Sequence, residues 1–220
     1  MPEEAVEPPR AAVPGRPRGR QRRAGAHSRE AILAAAERLL RSKRLEELTV
    51  WEIVREAGVS RASFYIHFDS KYALAAALVE KVIDGIYDVW APWLDGDAPT
   101  VPAVLRERMA ATVREWAEHA AILSAAVEGW HTDPELYDLW GGMLRRFTVA
   151  VTRRIERDRA DGSIPPDDLD PRALAAALVW LNERCFYVAA SGSEVAFADA
   201  ERTLVPVLAA LWARALQVDR

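Results

Sequence analysis

The chain has 220 residues, half of them hydrophobic and 28% charged, which suffices to bury a core in one or two domains and excludes a chain disordered throughout. Its single cysteine, Cys185, permits no internal disulfide; its longest apolar run, Ala173 to Leu181, falls short of the roughly 20 residues of a bilayer span, and its start lacks the order of a signal peptide. These features predict a cytoplasmic protein with no membrane partner, and the net charge of −4 hides an uneven spread, because residues 8–29 carry seven arginines and no acid.

Residues 1–27 read as a disordered Arg-rich arm, in which arginines alternate with prolines and glycines that cannot build a core. Beside a DNA-reading element such an arm follows phosphates or enters a minor groove, with Arg20, Arg22 and Arg23 as the candidate contacts; a solubilising tail has the same composition. An amphipathic helix is predicted from Ser28 to Ser42.

From Thr49 to Lys71 the chain reads as two short helices joined by a turn. Thr49 and Glu52 have capping-box spacing, Ile53, Val54 and Ala57 form a buried face, and Gly58 lets the chain leave the helix. Val59 plugs the angle, Ser60 caps a second helix from Arg61 to about Phe68, and Phe64 and Phe68 mark its inner side. At about 100° per residue, Ala62 and Ile66 then point outward, flanked by Arg61 with Tyr65 and by Ser63 with His67. In a major groove Arg61 meets guanine or phosphate and Ala62 and Ile66 meet thymine methyls, while Tyr65, His67 and Lys71, with Thr49, Ser60 and Ser63, lie near the backbone. An ordinary helical hairpin with solvated polar residues, and Ile66 packed on a neighbour, fits the same spacing.

After Ser70 the pattern is helical almost throughout: Lys71 to Trp90, Val101 to His119, Ile122 to Trp130, Pro134 to Asp161, Pro171 to Ser191 and Phe197 to Leu216. Asp133-Pro134 and Asp170-Pro171 are helix starts, and Pro206 kinks the last helix or begins a new one. Strand alternation is absent. The expected fold is all-α with about nine helices: a helix-turn-helix DNA-binding domain over residues 28–72 and a helical ligand-binding and dimerisation domain over residues 73–220.

Seven of the eight tryptophans lie in that second part, which suits either a plain core or a pocket for an apolar ligand. The stripe Trp140, Leu144, Phe147 and Val151 gives one helix an apolar wall, and Leu105, Met109, Thr112 and Trp116 can face it. Asn182 continues a separate apolar stripe, Leu174, Leu178 and Phe186, at four-residue spacing and, as a buried amide, needs a hydrogen bond from a ligand, a dimer partner or water. Ala173, Ala176, Ala177 and Leu181 on one helix, and Leu204, Val207, Leu208, Leu211 and Leu216 on another, offer faces for a homodimer or for packing within one chain.

Catalysis finds little support. None of His27, His67, His119 and His131 has a cysteine at zinc spacing, and Glu128-Gly129-Trp130-His131 is half of a di-iron motif without a second copy. No catalytic residue, metal or cofactor is therefore expected.

The runs Ala57-Gly58-Val59-Ser60, Phe64-Tyr65-Ile66-His67-Phe68 and Ser70-Lys71, between an amphipathic helix and a long one, resemble the TetR family of one-component regulators. Through Leu139-Trp140, the run from Arg153 to Ala160 and Leu181-Asn182-Glu183-Arg184, the second part is similar to the ethionamide-resistance-repressor subgroup of that family. The resemblance implies a homodimeric repressor on a two-fold symmetric operator in double-stranded DNA, released by a small apolar or amphipathic effector, and implies a ligand carbonyl as the partner of Asn182. The helix from Lys71 to Trp90, which joins the two parts, is the expected switch. A regulator that binds DNA without any ligand is the alternative, since core tryptophans alone explain the second part.

Overall fold

The computed structural model describes residues 18–130 and 133–218, except for the side chains of residues 18–25 and 135. In chain order the helices are α1 (Arg18–Leu40), α2 (Val50–Ala57), α3 (Arg61–His67), α4 (Lys71–Leu94), α5 (Pro102–Glu118), α6 (Ala120–Gly129), α7 (Pro134–Asp161), α8 (Pro171–Ala190), α9 (Ala200–Thr203) and α10 (Val205–Ala215), with a 3₁₀ turn at Val195–Phe197. No strand occurs among the described residues, and α9 with α10 form one helix broken near Leu204, where Pro206 occupies a first-turn position that needs no N–H. Counting that pair once gives nine helices among the described residues.

Two helix limits differ from expectation. α1 starts at Arg18, so residues 18–27 leave the expected arm and enter a helix. Arginine, glutamine and alanine form helix readily, and Gly19 and Gly25, at about 1 kcal/mol each, do not stop it. α4 passes Trp90 and Pro92 to reach Leu94, because a proline in the last turn forfeits a single backbone bond. The N–H groups of Asp95 and Gly96 both return to the Ala91 carbonyl, at 2.9 and 3.2 Å, and close the end.

The head, α1 to α3 with the start of α4, closes around Ile32, Ala36, Leu48, Ile53 and Phe64. The body, α4 to α10, packs α7 along α8 and α4, and α5 against α10, α4 and α8. By length and composition alone α8 could cross a bilayer. It instead lines the body core with Ala175, Leu178, Val179 and Phe186, and carries the buried polar pair Asn182 and Glu183. α4 belongs to both halves: Leu74, Ala75 and Leu78 are buried beside the head, and Ile83, Ile86, Trp90 and Trp93 are buried in the body.

Candidate nucleic-acid interface and ligand cavity

The turn between α2 and α3 is built as its residue types require. Thr49 N–H donates to Glu52 Oε2 at 3.0 Å and the Thr49 hydroxyl accepts from Glu52 N–H at 3.3 Å, completing the capping box. Gly58 has φ of 67°, a left-handed conformation that costs glycine nothing. The Ser60 hydroxyl accepts from Ser63 N–H at 3.1 Å, so α3 is fixed at its first turn. Phe64 is fully buried, and Phe68, buried too, is the extended C-cap rather than the last helical residue.

With its inner side so anchored, α3 shows solvent the expected outer side. Ile66 is 78% exposed, so it packs on no neighbouring helix among the described residues. Arg61, Ala62 and Tyr65 are exposed around it, with Ser63 and His67 half-buried at the edge. The Arg61 guanidinium lies 5.6 Å from the Tyr65 ring and donates to its hydroxyl at 3.4 Å, which holds the charge against the helix.

Two residues expected near phosphates are committed elsewhere. Lys71 Nζ donates to the Glu46 and Leu48 carbonyls at 2.7 and 2.9 Å, tying α4 to the loop before α2. The Thr49 hydroxyl also donates to Glu52 Oε2 at 2.7 Å, while Lys43 pairs with the same carboxylate. Those bonds to Lys43 and Thr49 hold the Glu52 carboxyl down at about 2. Trp51, 61% exposed with the Arg55 guanidinium 4.6 Å from its ring, extends the same surface; spacing gave no sign of it, because a lone aromatic on a helix resembles core. The backbone of residues 20, 22 and 23 lies in α1, and their side chains lie outside the described residues.

In the body a cavity of about 70 Å³ opens between α4, α5, α7 and α8. Thr112 and Trp116 of α5, Trp140, Leu144, Phe147 and Val151 of α7, and Asn182 and Phe186 of α8 line it, as expected. Leu105 and Met109 do not: both are completely buried, but they lie two and one turns further toward the start of α5, in the packed core. The expected wall was incomplete as well, since α4 contributes Ile83, Ile86, Trp90 and Leu94, and Trp212 comes from α10. These residues are brought in by helix crossings, which spacing along one helix does not reveal.

The few polar groups of the cavity are specific. Trp90 Nε1 donates to the Thr112 hydroxyl at 2.8 Å, and that hydroxyl donates to the Arg108 carbonyl at 2.9 Å. Trp212 Nε1 donates to Asn182 Oδ1 at 3.1 Å, so the amide finds its partner inside the chain. An indole N–H can only donate, which fixes the orientation of that amide. Glu183 is 5% exposed, and neither carboxylate oxygen meets a donor at hydrogen-bonding geometry. Burial pushes its carboxyl above the ordinary range against the pull of Arg184, 3.8 Å away, and of the Trp140 indole.

The expected dimer faces divide. Leu204, Leu208 and Leu216 are buried within the chain: with Trp212 they form a four-residue stripe on the side of α10 that packs on α5, so they cannot meet a partner. On the outer side Val207 and Leu211 are exposed at 53% and 41%. On α8 Ala173 and Ala177 are exposed and Ala176 and Leu181 half-buried, while Trp180, exposed at 42%, was not expected there.

A head that presents an exposed α3 from a capped helix-turn-helix, on an all-helical body, defines a DNA-binding transcriptional regulator rather than an enzyme. Residues 32–78 match the family described as "Bacterial regulatory proteins, tetR family", and residues 105–217 match "Transcriptional regulator EthR, C-terminal domain". The chain belongs to the TetR family, in the branch with an EthR-type C-terminal domain. It is 29% identical over 201 residues to the HTH-type transcriptional regulator EthR of Mycolicibacterium smegmatis, covering 89% of this chain and 90% of that one. EthR of Mycobacterium tuberculosis is 28% identical over 203 residues, covering 89% and 91%. In fold the chain is similar to Salmonella enterica GusR, with a TM-score of 0.68 at 19% identity over 86% of this chain and 95% of that one. A TetR transcription regulator from Haloarcula marismortui gives the same TM-score and identity over 87% and 98%.

Proposed function

We propose that the chain is a homodimeric, cytoplasmic repressor that reads a two-fold symmetric operator through α3 and leaves it when a small apolar or amphipathic ligand occupies the body cavity. The single observation that carries this reading is the double membership of α4, whose Leu74, Ala75 and Leu78 belong to the head core and whose Ile83, Ile86, Trp90 and Leu94 are cavity wall. Residues 28–72 are then the DNA-reading part and residues 73–220 the ligand-binding and dimerisation part.

The size of the cavity supplies the mechanism. Its 70 Å³ is well below the roughly 300–1,000 Å³ of sites that hold drug-sized ligands, so such a ligand enters by pushing the walls apart. One wall is α4, and Lys71 pins its other end to the loop before α2. Displacing the cavity end of α4 therefore moves the head, and the two heads of a dimer lose their match to paired half-sites. A tenfold loss of affinity needs only about 1.4 kcal/mol of differential ligand binding.

On DNA, Arg61 meets guanine edges or phosphate, Ala62 and Ile66 meet thymine methyls, and Ser60, Ser63, Tyr65 and His67 face the backbone. Arg20, Arg22 and Arg23, in the first turns of α1, add phosphate contacts that weaken with salt. The dimer forms through the exposed sides of α8 and α10, with Ala173, Ala177 and Trp180 against Val207 and Leu211. The test is a screen of amphipathic compounds by tryptophan fluorescence, followed by operator binding of the protein saturated with each hit. Hits that quench fluorescence and weaken operator binding together support the reading; hits that bind tightly and leave operator affinity unchanged refute it.

A further inference from the structure

Glu183 is out of place in an apolar cavity. It is the one ionisable side chain among the described cavity-lining residues; its side chain is 4% exposed, and neither carboxylate oxygen meets a donor at full hydrogen-bonding geometry among the described residues, the Trp140 indole N–H being the polar group that pulls on it from the cavity. The cation that pairs with it, Arg184, reaches only to 3.8 Å and is half exposed. Holding a carboxyl out of water with so little to offset its desolvation is costly, and a leucine or methionine would fill this position without that cost. It shares the cavity wall with a cluster of aromatic rings, in which Trp140 lies 6.0 Å from Trp116 and Trp116 6.4 Å from Phe186. A buried anion with unused acceptors beside aromatic rings is complementary to an organic cation, which the acceptors bind through its N–H groups and the rings through their quadrupoles.

We propose that the effector is a lipophilic amine, bound as its ammonium ion with Glu183 as counter-ion and Trp116, Trp140 and Phe186 around the charge. This rests on the cavity being the effector site and narrows the ligand class. The remaining wall, Leu144, Phe147, Val151 and Val179, takes the hydrocarbon part. Desolvation pushes the Glu183 carboxyl above the ordinary range in the free protein, and an entering ammonium opposes that shift by favouring the charged form. The ligand thus recovers a cost that the unliganded fold carries, and that recovery is available to the expanded, liganded form alone.

The test titrates the full chain with hexylamine, hexan-1-ol and hexanoate, following tryptophan fluorescence, and repeats the titrations with Glu183→Gln and Glu183→Met. Hexylamine is expected to bind the natural chain about 10- to 100-fold more tightly than hexan-1-ol, the range of one charge-assisted buried hydrogen bond, with hexanoate weakest. Both variants should reduce that preference to about threefold or less while hexan-1-ol binds as before. At one fixed concentration hexylamine should raise the melting temperature of the natural chain more than hexan-1-ol does, and raise those of the variants by no more than hexan-1-ol does. The variants should melt no lower than the natural chain, since they remove a desolvated carboxyl that only Arg184 and the Trp140 indole partly offset, and this guards against a folding defect. Equal binding of alcohol and amine by the natural chain, or an amine preference that survives in both variants, would overturn the cation proposal and leave the cavity reading standing. Failure of all three compounds to bind would overturn both.

Discussion

Arg61 sits at the start of a seven-residue helix, with Ser60 capping it, Phe64 anchoring it from behind and Tyr65 holding its guanidinium in place. A charge so positioned loses little freedom when it meets a base edge, and one bidentate contact is worth about 1–3 kcal/mol. Arg61→Ala should therefore weaken specific operator binding by about tenfold or more in fluorescence anisotropy, with the melting temperature unchanged. Glu52 tests the local fold instead. Its folded carboxyl titrates at about 2, below the ordinary 4.5, so it contributes stability that is complete above about 4.5 and is lost as the pH falls toward 2. Urea unfolding as a function of pH should show Glu52→Gln without that loss, and a Glu52→Gln curve parallel to the natural one would contradict the assignment. Glu183 has the opposite sign: its raised carboxyl makes the unliganded fold less stable as the pH rises above the unfolded value.

At the scale of helices, the end of α4 is held by charge rather than by apolar packing alone. Arg154 and Asp158 of α7 form a buried pair; Arg154 also donates to the Trp93 carbonyl, and the Thr100 hydroxyl joins Asp158 while accepting from Trp93 Nε1 at 2.9 Å. Removing one member of such a pair leaves the other charge buried, which typically costs about 3–5 kcal/mol. Asp158→Ala should lower unfolding free energy by that amount in urea titrations, whereas Arg146→Ala, which breaks the exposed 2.6 Å pair with Asp84, should cost less than about 1 kcal/mol. Signals carried by neighbouring residues were legible before any coordinates. The Thr49–Glu52 capping box, the left-handed Gly58 and the Asp170–Pro171 start of α8 all depend on backbone groups within a few residues. What depends on helix crossings was not. Leu105 and Met109 share a stripe with Thr112 and Trp116, yet only the last turns of α5 reach the cavity, and Trp212 arrives from 30 residues beyond Asn182. Glu183 carries no sequence signal of its own, because a glutamate beside two polar neighbours reads as surface, yet it is 5% exposed.

At the scale of the whole molecule, the α8 and α10 surfaces decide whether two heads act together. Leu211→Arg, at an exposed position flanking the buried α10 stripe, should leave the monomer folded by circular dichroism and shift sedimentation to a single chain. Operator affinity should then fall by an order of magnitude or more, since each head alone holds half a site. The central claim is that a ligand between the body helices moves the heads through α4. It is tested most directly by the head-to-head distance, read by pulsed dipolar spectroscopy from a spin label at exposed residue 56 in Glu56→Cys, with Cys185→Ser to remove the other thiol. The account predicts one narrow distance on operator DNA and a different distance when the tightest-binding compound from the fluorescence screen is saturating, with the change tracking release from DNA. A ligand that fills the cavity while the distance stays the same would contradict it.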